Sequence, residues 1–246
     1  MPGRVFIGTS GYVYPHWRGG FYPEGVPQRA WLPFYAERFR TVELNNPFYR
    51  LPEAGTFDAW RETVPSGFVF AVKTSRYITH IKRLKQPGTP LRTFLSRAKR
   101  LGGTLGPILF QLPGSFRVDI GRLDALCAWL ARQSLIPGLR AVLEVRHGSW
   151  LDPAVFQRLS AGNLALCLAD WPELPVEGPL TADFVYIRRH GTGVRYGGSY
   201  PDSMLRADAR RIRSWLRDGR DVYVYFNNDQ EAFAVQNAKR LLDLVS

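Results

Sequence analysis

The sequence predicts a (β/α)8 barrel of the TIM type, an α/β fold in which eight parallel strands alternate with helices. Short apolar runs recur eight times along the chain, and segments with one apolar face separate most of them. Parallel strands joined by helical crossovers produce this alternation. Eight such units fit well into 246 residues, and no linker stands out. We therefore predict a single domain over residues 1–246.

The eight runs have the composition and length of strands. In chain order they read "RVFIGTS", "TVELNN", "GFVFAVKT", "PILFQLP", "RAVLEVRH", "LALCLAD", "DFVYIRRH" and "DVYVYFNND".

Four connecting segments carry apolar residues at helical spacing. The stripes are Leu32, Tyr35, Ala36 and Phe39; Leu123, Leu126, Cys127 and Leu130; Leu205, Ala209, Ile212 and Leu216; and Ala234, Ala238, Leu241 and Val245. Asp229 is predicted to cap the last helix. The sixth connection, "PELPVEGPLTA", is too rich in proline to predict a helix.

An open doubly wound sheet is the competing architecture, but its nucleotide-binding signature is missing. No G-x-G-x-x-G follows the first strand, and "GTSG" leads into a long aromatic loop instead of a helix. The segment "RLGGTLGP" lacks the GK[ST] of a phosphate loop and precedes a strand. These absences favour the barrel.

The chain is strongly basic, with a formal net charge of +12. No acidic residue lies between Glu62 and Asp119. That interval contains ten basic residues, namely Lys73, Arg76, Lys82, Arg83, Lys85, Arg92, Arg97, Lys99, Arg100 and Arg117. Such a field attracts nucleic acids or anionic metabolites. The alternative is a solvated basic face with weak non-specific attraction.

The remaining composition predicts a cytoplasmic protein that has no membrane partner. The start, "MPGRVFIGTSG", has no apolar core of a signal peptide. No apolar run approaches the roughly 20 residues of a membrane span. Two cysteines, Cys127 and Cys167, are too few for a disulfide framework or a zinc cluster. The sequence leaves the oligomeric state open.

All eight predicted strands end in polar residues, whereas their N-terminal ends are mostly apolar. Active sites of TIM barrels lie at the mouth formed by the carboxyl ends of the strands. The predicted catalytic residues are Glu43, Glu144, His147, Asp170 and His190. The predicted ligand-binding residues are Tyr12, His16, Trp17, Asn45, Lys73, His80, Gln111, Arg146, Trp150, Arg188, Asn227, Asn228 and Asp229.

Strand parity brings opposite charges together in this prediction. Side chains two residues apart share a face of a strand. If Glu43, Glu144, Arg146 and Arg188 all point inward, they lie in one cavity. The result is either a grip for anionic oxygens or an interior ion-pair network that holds the barrel together.

Two further chemistries use the same residues. Suitable ligand types for a divalent metal are present in His80, His147, His190, Glu43, Glu144 and Asp170. No H-x-H or H-x-x-x-H spacing supports that site, however, and the metal is unknown. Glu43 and Glu144 could also act as an acid/base pair on a glycosidic bond, with carboxyls about 5–10 Å apart.

The loop after the first strand, "SGYVYPHWRGGFYPEGVP", is unusually aromatic. Aromatic rings beside Arg18 can stack nucleobases. The alternative is a lid whose rings merely pack onto the barrel rim. Trp150 and Trp171 are expected to face the same mouth.

Seven stretches, taken together, resemble one family. They are "IGTSGYVYPHWRGGFYPEG", "TVELNNPFYRLP", "WRETVPSGFVFAVKTSRYITH", "LGPILFQLP", "LEVRHGSW", "YIRRHG" and "VYVYFNND". Their combination resembles the YecE-like family, known as domain of unknown function 72. The resemblance implies a (β/α)8 barrel and leaves the activity open. It also singles out Thr79 and Gly191 beside the polar residues named above.

The leading hypothesis is a barrel that binds a phosphate-bearing ligand at its C-terminal mouth and could hydrolyse it. Lys73, Arg146 and Arg188 would hold anionic oxygens. Glu43 or Glu144 would be the general base, with His80, His147 or His190 as the acid or a metal ligand. The first alternative is a non-catalytic nucleic-acid binder that uses residues 73–117. The second is a carbohydrate enzyme built on the two glutamates.

Overall fold

The computed structural model describes residues 1–171, 174, 178–193 and 196–246. Within these residues the strands are β1 (Val5–Thr9), β2 (Thr41–Leu44), β3 (Val69–Lys73), β4 (Leu105–Gln111), β5 (Ala141–Glu144), β6 (Leu164–Leu166), β7 (Leu168–Ala169), β8 (Phe184–Arg189) and β9 (Asp221–Phe226). The helices are α1 (Trp31–Ala36), α2 (Asn46–Tyr49), α3 (Ala54–Thr63), α4 (Gly88–Ala98), α5 (Ile120–Arg132), α6 (Pro153–Ala161), α7 (Asp202–Arg217) and α8 (Phe233–Val245).

The strands form two parallel sheets whose combined order is that of a TIM-type barrel. One sheet has the order β2-β3-β4-β5-β6, and the other has the order β1-β9-β8-β7. The predicted α/β architecture with parallel strands and helical crossovers is confirmed.

The sixth predicted strand is two strands, and it joins the sheets. β6 pairs with β5, whereas β7 pairs with β8. Cys167 separates the two strands, and its backbone N–H donates to the carbonyl of Leu143 at 2.9 Å. The hydroxyl of Thr181 accepts from the Leu166 N–H at 2.8 Å and donates to the Leu164 carbonyl at 2.7 Å. The Thr181 hydroxyl therefore forms hydrogen bonds with the backbone groups on the edge of β6 that does not pair with β8.

A second hydroxyl occupies the junction between β1 and β2. Tyr35 of α1 accepts from the Thr9 N–H at 2.9 Å and donates to the Thr41 carbonyl at 3.1 Å. Direct backbone pairing begins only at the Ser10–Glu43 bridge. Gly8 is required here, because a Cβ at this position would lie 2.2 Å from the Thr41 carbonyl oxygen. Both junctions thus depend on a side-chain hydroxyl.

The interior of the barrel is filled unevenly by small and large side chains. Ala71, Ala165 and Ala169 leave room for the rings of Tyr186 and Tyr225, which are both fully buried. A larger apolar cluster packs the helices against the outside of the sheets. The space next to the small residues allows polar side chains to enter the barrel from the strand ends.

Two details of the helices differ from the sequence prediction. α1 ends at Ala36, so Phe39 lies beyond the helix, although it is buried. The predicted cap at Asp229 is wrong, because α8 begins at Phe233 after a short turn, and the Asp229 side chain accepts no capping hydrogen bond. Residues 172, 173 and 175–177 of the sixth connection lie outside the described part of the chain. No described helix has the length and apolar character needed to cross a membrane.

Candidate functional site at the barrel mouth

Arg188 of β8 binds two carboxylates inside the barrel. Its two terminal nitrogens lie 2.7 Å from Glu43 Oε1 and 2.6 Å from Glu144 Oε2. Glu43 and Glu144 are 0% exposed and Arg188 is 1% exposed, so no solvent screens this charge. Inward parity on β2, β5 and β8 brings the three side chains together.

Further donors contact both oxygens of Glu43 and a second cation pairs with Glu144. Glu43 accepts from the hydroxyls of Ser10 and Tyr186, the latter at 2.6 Å. Glu144 accepts from Arg146 Nε at 2.6 Å and contacts His190 Nε2 at 3.2 Å. The sequence interpretation missed Tyr186, although it lies two residues before Arg188 and therefore on the same strand face.

The protonation states follow from this arrangement. Burial raises the pKa of Glu144, but Arg146, Arg188 and the His190 hydrogen bond outweigh burial and hold it well below its usual range. Burial lowers the pKa of His190 to about 4, although contact with Glu144 opposes the shift. His190 is therefore neutral at pH 7. A carboxylate with a low pKa and donors on both oxygens is a weak general base. The geometry of Glu144 instead fits a residue that positions Arg146 and Arg188.

Asp170 holds the loop after β8. Its carboxylate accepts from the His190 backbone N–H at 2.6 Å and from the Tyr200 hydroxyl. Asn227 contacts the other side of His190, with its amide nitrogen 3.2 Å from Nδ1. These contacts fix the imidazole against Glu144.

Above Arg188 lies a cavity of about 370 Å³. Its lining combines amides, tyrosines and charged groups, namely Gly11, Tyr12, Val13, Tyr14, Leu44, Asn45, Asn46, Tyr49, Lys73, Arg188, Tyr196, Asn227 and Asp229. Asn45 Oδ1 and Arg188 Nε are buried and have no hydrogen-bond partner among the described residues. A cavity of this size accommodates a small polar ligand.

Lys73 is the cation of this cavity without a carboxylate partner among the described residues. Its ammonium nitrogen lies 4.0 Å from the centre of the Phe48 ring. Burial, and then the charge of Arg188, lowers the pKa of Lys73 to about 7. The sequence predicted Lys73 at the mouth but missed Phe48, because an aromatic residue in a short helix carries no signal of such a contact.

His80 lies beside the same Phe48 ring, with ring centres 4.9 Å apart. Burial and, in decreasing order, the charges of Lys73, Arg76, Arg146 and Arg83 together lower the pKa of His80 to about 4. Within the described chain, only Arg146 of these four cations forms an ion pair. We call Lys73, Arg76, Arg83 and Arg146 the His80 cation cluster.

Several predicted ligand-binding residues serve other contacts. Trp17 and Trp150 are 0% exposed. Their indole N–H groups donate to the backbone carbonyls of Asp229 at 2.9 Å and Phe116 at 2.7 Å, so they cannot stack a ligand. Asn228 is also fully buried and donates to the Gly198 carbonyl at 2.8 Å. A stacking role for Trp17 and Trp150 is therefore wrong, and Asn228 belongs to the packed interior with them.

His147, Gln111 and His16 also lie outside the cavity lining. His147 Nδ1 accepts from the Ser149 N–H at 3.1 Å and opens a short turn. Gln111 donates to the Leu112 carbonyl. His16 contacts the backbone oxygen of Asp229 at 2.8 Å, so it ties the first loop to the loop after β9.

The predicted metal ligands do not converge. In the described chain, no three or more His, Cys, Asp or Glu side chains are grouped so that they could hold a metal ion. Glu43 and Glu144 face arginines, and His147 lies in a separate turn. The residues present therefore do not fit a metal centre.

The long basic interval is partly neutralised by residues outside it. Arg97 pairs with Glu53, and Arg100 pairs with Asp58 at 2.6 Å. These pairs neutralise two of the ten basic residues of the interval.

A family model described as "Protein of unknown function DUF72" matches residues 6–246. The chain belongs to the DUF72 family. The UPF0759 protein YunF of Bacillus subtilis (strain 168) is 23% identical, over 98% of this chain and 94% of that protein.

Crystal structures of two DUF72 proteins have the same fold. The protein from Thermotoga maritima MSB8 has a TM-score of 0.87 and 27% identity, over 98% of this chain and 99% of that one. The protein from Enterococcus faecalis V583 has a TM-score of 0.83 and 19% identity, over 98% and 95% of the two chains. Similarity to the family therefore extends over almost the whole chain.

Proposed function

We propose that this DUF72 protein binds a small phosphate-bearing ligand at the barrel mouth. Arg76 and Arg83, which have no carboxylate partner among the described residues, hold the phosphate, and the rest of the ligand enters the cavity above Arg188. The observation that carries the proposal is the cation cluster around His80, in which only Arg146 has a carboxylate partner among the described residues. Guanidinium groups bind phosphate oxygens with strong, directional hydrogen bonds.

The cavity supports the rest of the ligand. Asn45, Asn227 and Asp229 offer polar groups, and Tyr12 and Tyr196 offer ring faces. Such a lining suits a ligand with hydroxyl or amide groups next to its phosphate. Arg188 contributes less net charge, because Glu43 and Glu144 balance it together with Arg146.

Glu43 and Glu144 do not support the hypothesis that the protein hydrolyses its ligand. Glu43 and Glu144 are buried acceptors whose oxygens already face donors. The Arg188 guanidinium bridges them, which leaves no place for a glycosidic bond between the two carboxyls. Neither the phosphate hydrolase nor the carbohydrate enzyme has a free general base in these two residues.

The pKa of His80 provides the test. A bound phosphate anion offsets the nearby cations, so inorganic phosphate should raise the pKa of His80 from about 4 by roughly one unit or more. An NMR titration of the imidazole signals, with and without phosphate, measures this change. The Arg76→Ala variant should weaken phosphate binding about three- to tenfold. Arg92→Ala, an exposed arginine on α4, is the matched control.

Two results would count against the proposal. The pKa of His80 could stay constant at saturating phosphate, or Arg76→Ala and Arg92→Ala could weaken binding equally. The second result would mean that phosphate responds only to the overall charge of the protein.

A second candidate is the binding of single-stranded nucleic acid across the rim. Tyr49 is 76% exposed and Tyr77 is 45% exposed, and Lys82 lies 5.8 Å from the Tyr77 ring centre. Exposed rings next to cations are typical of surfaces that stack bases. Log affinity for an oligonucleotide should then fall steeply with log salt concentration, with a slope of about −0.7 per contacted phosphate. Tyr49→Ala should weaken oligonucleotide binding while it leaves the affinity for inorganic phosphate unchanged.

A further inference from the structure

Lys73 occupies an unusual position for a lysine. It ends β3, lines the mouth cavity, and contacts the face of the Phe48 ring. No carboxylate of the described residues lies within ion-pair distance of its ammonium nitrogen, although Glu43 and Glu144 are close enough to influence it. Both of these carboxylates are committed to arginines.

The surroundings favour the neutral amine of Lys73. Burial and the positive charge of Arg188 lower its pKa to about 7, so about half of the side chains carry a free electron pair at pH 7. An exposed lysine, with a pKa of about 10.4, is neutral in well under 1% of molecules at that pH. Desolvation next to another cation is a known way to activate a lysine as a nucleophile.

The cavity can also exchange reactants with solvent. Tyr49, which lines it, is 76% exposed, so the cavity opens at the rim. The Phe48 ring lies against both Lys73 and His80, and it links the amine to the phosphate side of the mouth. A ligand whose phosphate is held by Arg76 and Arg83 can therefore present a nearby carbon atom to Lys73.

We propose that Lys73 forms a Schiff base with the carbonyl carbon of a phosphate-bearing aldehyde or ketone. This inference rests on the proposed function, which supplies the phosphate grip. The neutral Nζ adds to the carbonyl carbon and forms a C–N bond, while the carbonyl electrons move to oxygen. Oxygen takes up the proton that nitrogen releases and gives a carbinolamine. A further proton then allows water to leave, and the product is a protonated imine on Lys73.

The chain contains only five lysines, which makes the test selective. Pyridoxal 5′-phosphate, used as a phosphate-bearing aldehyde probe, is incubated with the full chain at pH 7.5 and then reduced with borohydride. Peptide mapping compares Lys73 with the exposed Lys85, Lys99 and Lys239. Labelling of Lys73 should be about tenfold faster than labelling of any of the three. Inorganic phosphate should slow it.

The Lys73→Arg variant and a neutral aldehyde, propionaldehyde, distinguish a failure of this inference from a failure of the proposed function. Lys73→Arg keeps the positive charge but removes the nucleophile, so labelling at position 73 should vanish while phosphate still raises the pKa of His80. If phosphate does not affect His80 but propionaldehyde with cyanoborohydride still labels Lys73 selectively, the phosphate grip is wrong and the reactive amine stands. If labelling of the wild-type chain follows exposure, with Lys73 the slowest, the Schiff-base inference is overturned.

Discussion

Arg188 connects the residues that the strand pattern predicted for the mouth. It joins β2, β5 and β8 through Glu43 and Glu144, and Arg146 adds a second cation to Glu144. The cluster therefore contains two carboxylates and two guanidinium groups, so its formal charges cancel. Lys73 has no carboxylate partner among the described residues, and with a pKa of about 7 it is charged in about half of the molecules at pH 7. This balance explains why a ligand would respond to Lys73 and the rim arginines more than to Arg188.

Glu144→Gln should destabilise the protein strongly. The amide keeps the shape of the side chain but leaves Arg146 and Arg188 with a single carboxylate in a dry interior. Breaking a buried pair in this way costs roughly 3–5 kcal/mol. Arg158→Met, which removes an exposed ion pair with Asp124, should cost about 0–1 kcal/mol. Urea unfolding followed by circular dichroism measures both. Equal losses in the two variants would show that the buried cluster contributes little to stability.

At the level of elements, two side-chain hydroxyls complete the strand edges where the two sheets meet. Tyr35 lies between β1 and β2, and Thr181 covers β6. Each hydroxyl both accepts from a backbone N–H and donates to a backbone carbonyl. The barrel order is thus maintained at both junctions without a continuous ladder of backbone hydrogen bonds.

Tyr35→Phe and Thr181→Val should each lower the free energy of unfolding by about 1–3 kcal/mol, because each leaves a buried N–H and a buried carbonyl unpaired. Tyr77→Phe is the control, since that hydroxyl lies on an exposed ring. Hydrogen exchange adds a local measurement, in which the Thr9 and Leu166 amides should lose protection in the matching variant. Unchanged protection in both variants would mean that the junctions do not depend on these hydroxyls.

Strand parity made much of the mouth predictable from sequence. Buried parallel strands are short apolar runs, and polar residues at their ends share a face at every second position. This rule placed Glu43, Glu144 and Arg188 in one cavity. It could not reveal the break at Cys167, because a change of strand partner depends on the neighbouring sheet. The burial of Trp17 and Trp150 likewise depends on carbonyl acceptors that are distant in sequence.

For the whole molecule, the net charge of +12 conceals two different surfaces. On the outer helices, Arg97 and Arg100 meet Glu53 and Asp58. Around His80, the cations gather with far less compensation. Under the proposed function, these cations would hold the phosphate group at the mouth, where the cavity also lies.

The stability of the whole molecule should rise with pH over two separate windows. His190 has a pKa of about 4 in the folded chain and about 6.5 when unfolded, so between these values the unfolded chain binds an extra proton. Stability is therefore lost as the pH falls from about 6.5 to 4. The same reasoning applies to Lys73 from about pH 7, its folded pKa, up to about pH 8.5. In that window stability increases as the pH rises. Above that pH Cys127 and Cys167, whose pKa values burial raises, oppose the rise.

Urea unfolding at half-unit pH steps measures both windows, each with a slope of up to about 1.4 kcal/mol per pH unit for one group. Lys73→Met should abolish the rise above pH 7, whereas Lys239→Met, an exposed lysine, should retain it. His190→Asn should reduce the slope between pH 4 and 6.5, where His80 contributes in the same direction. A free energy of unfolding that is flat from pH 7 to 8.5 in the wild-type chain would mean that Lys73 is charged like an ordinary lysine. The mouth would then hold a fixed cation.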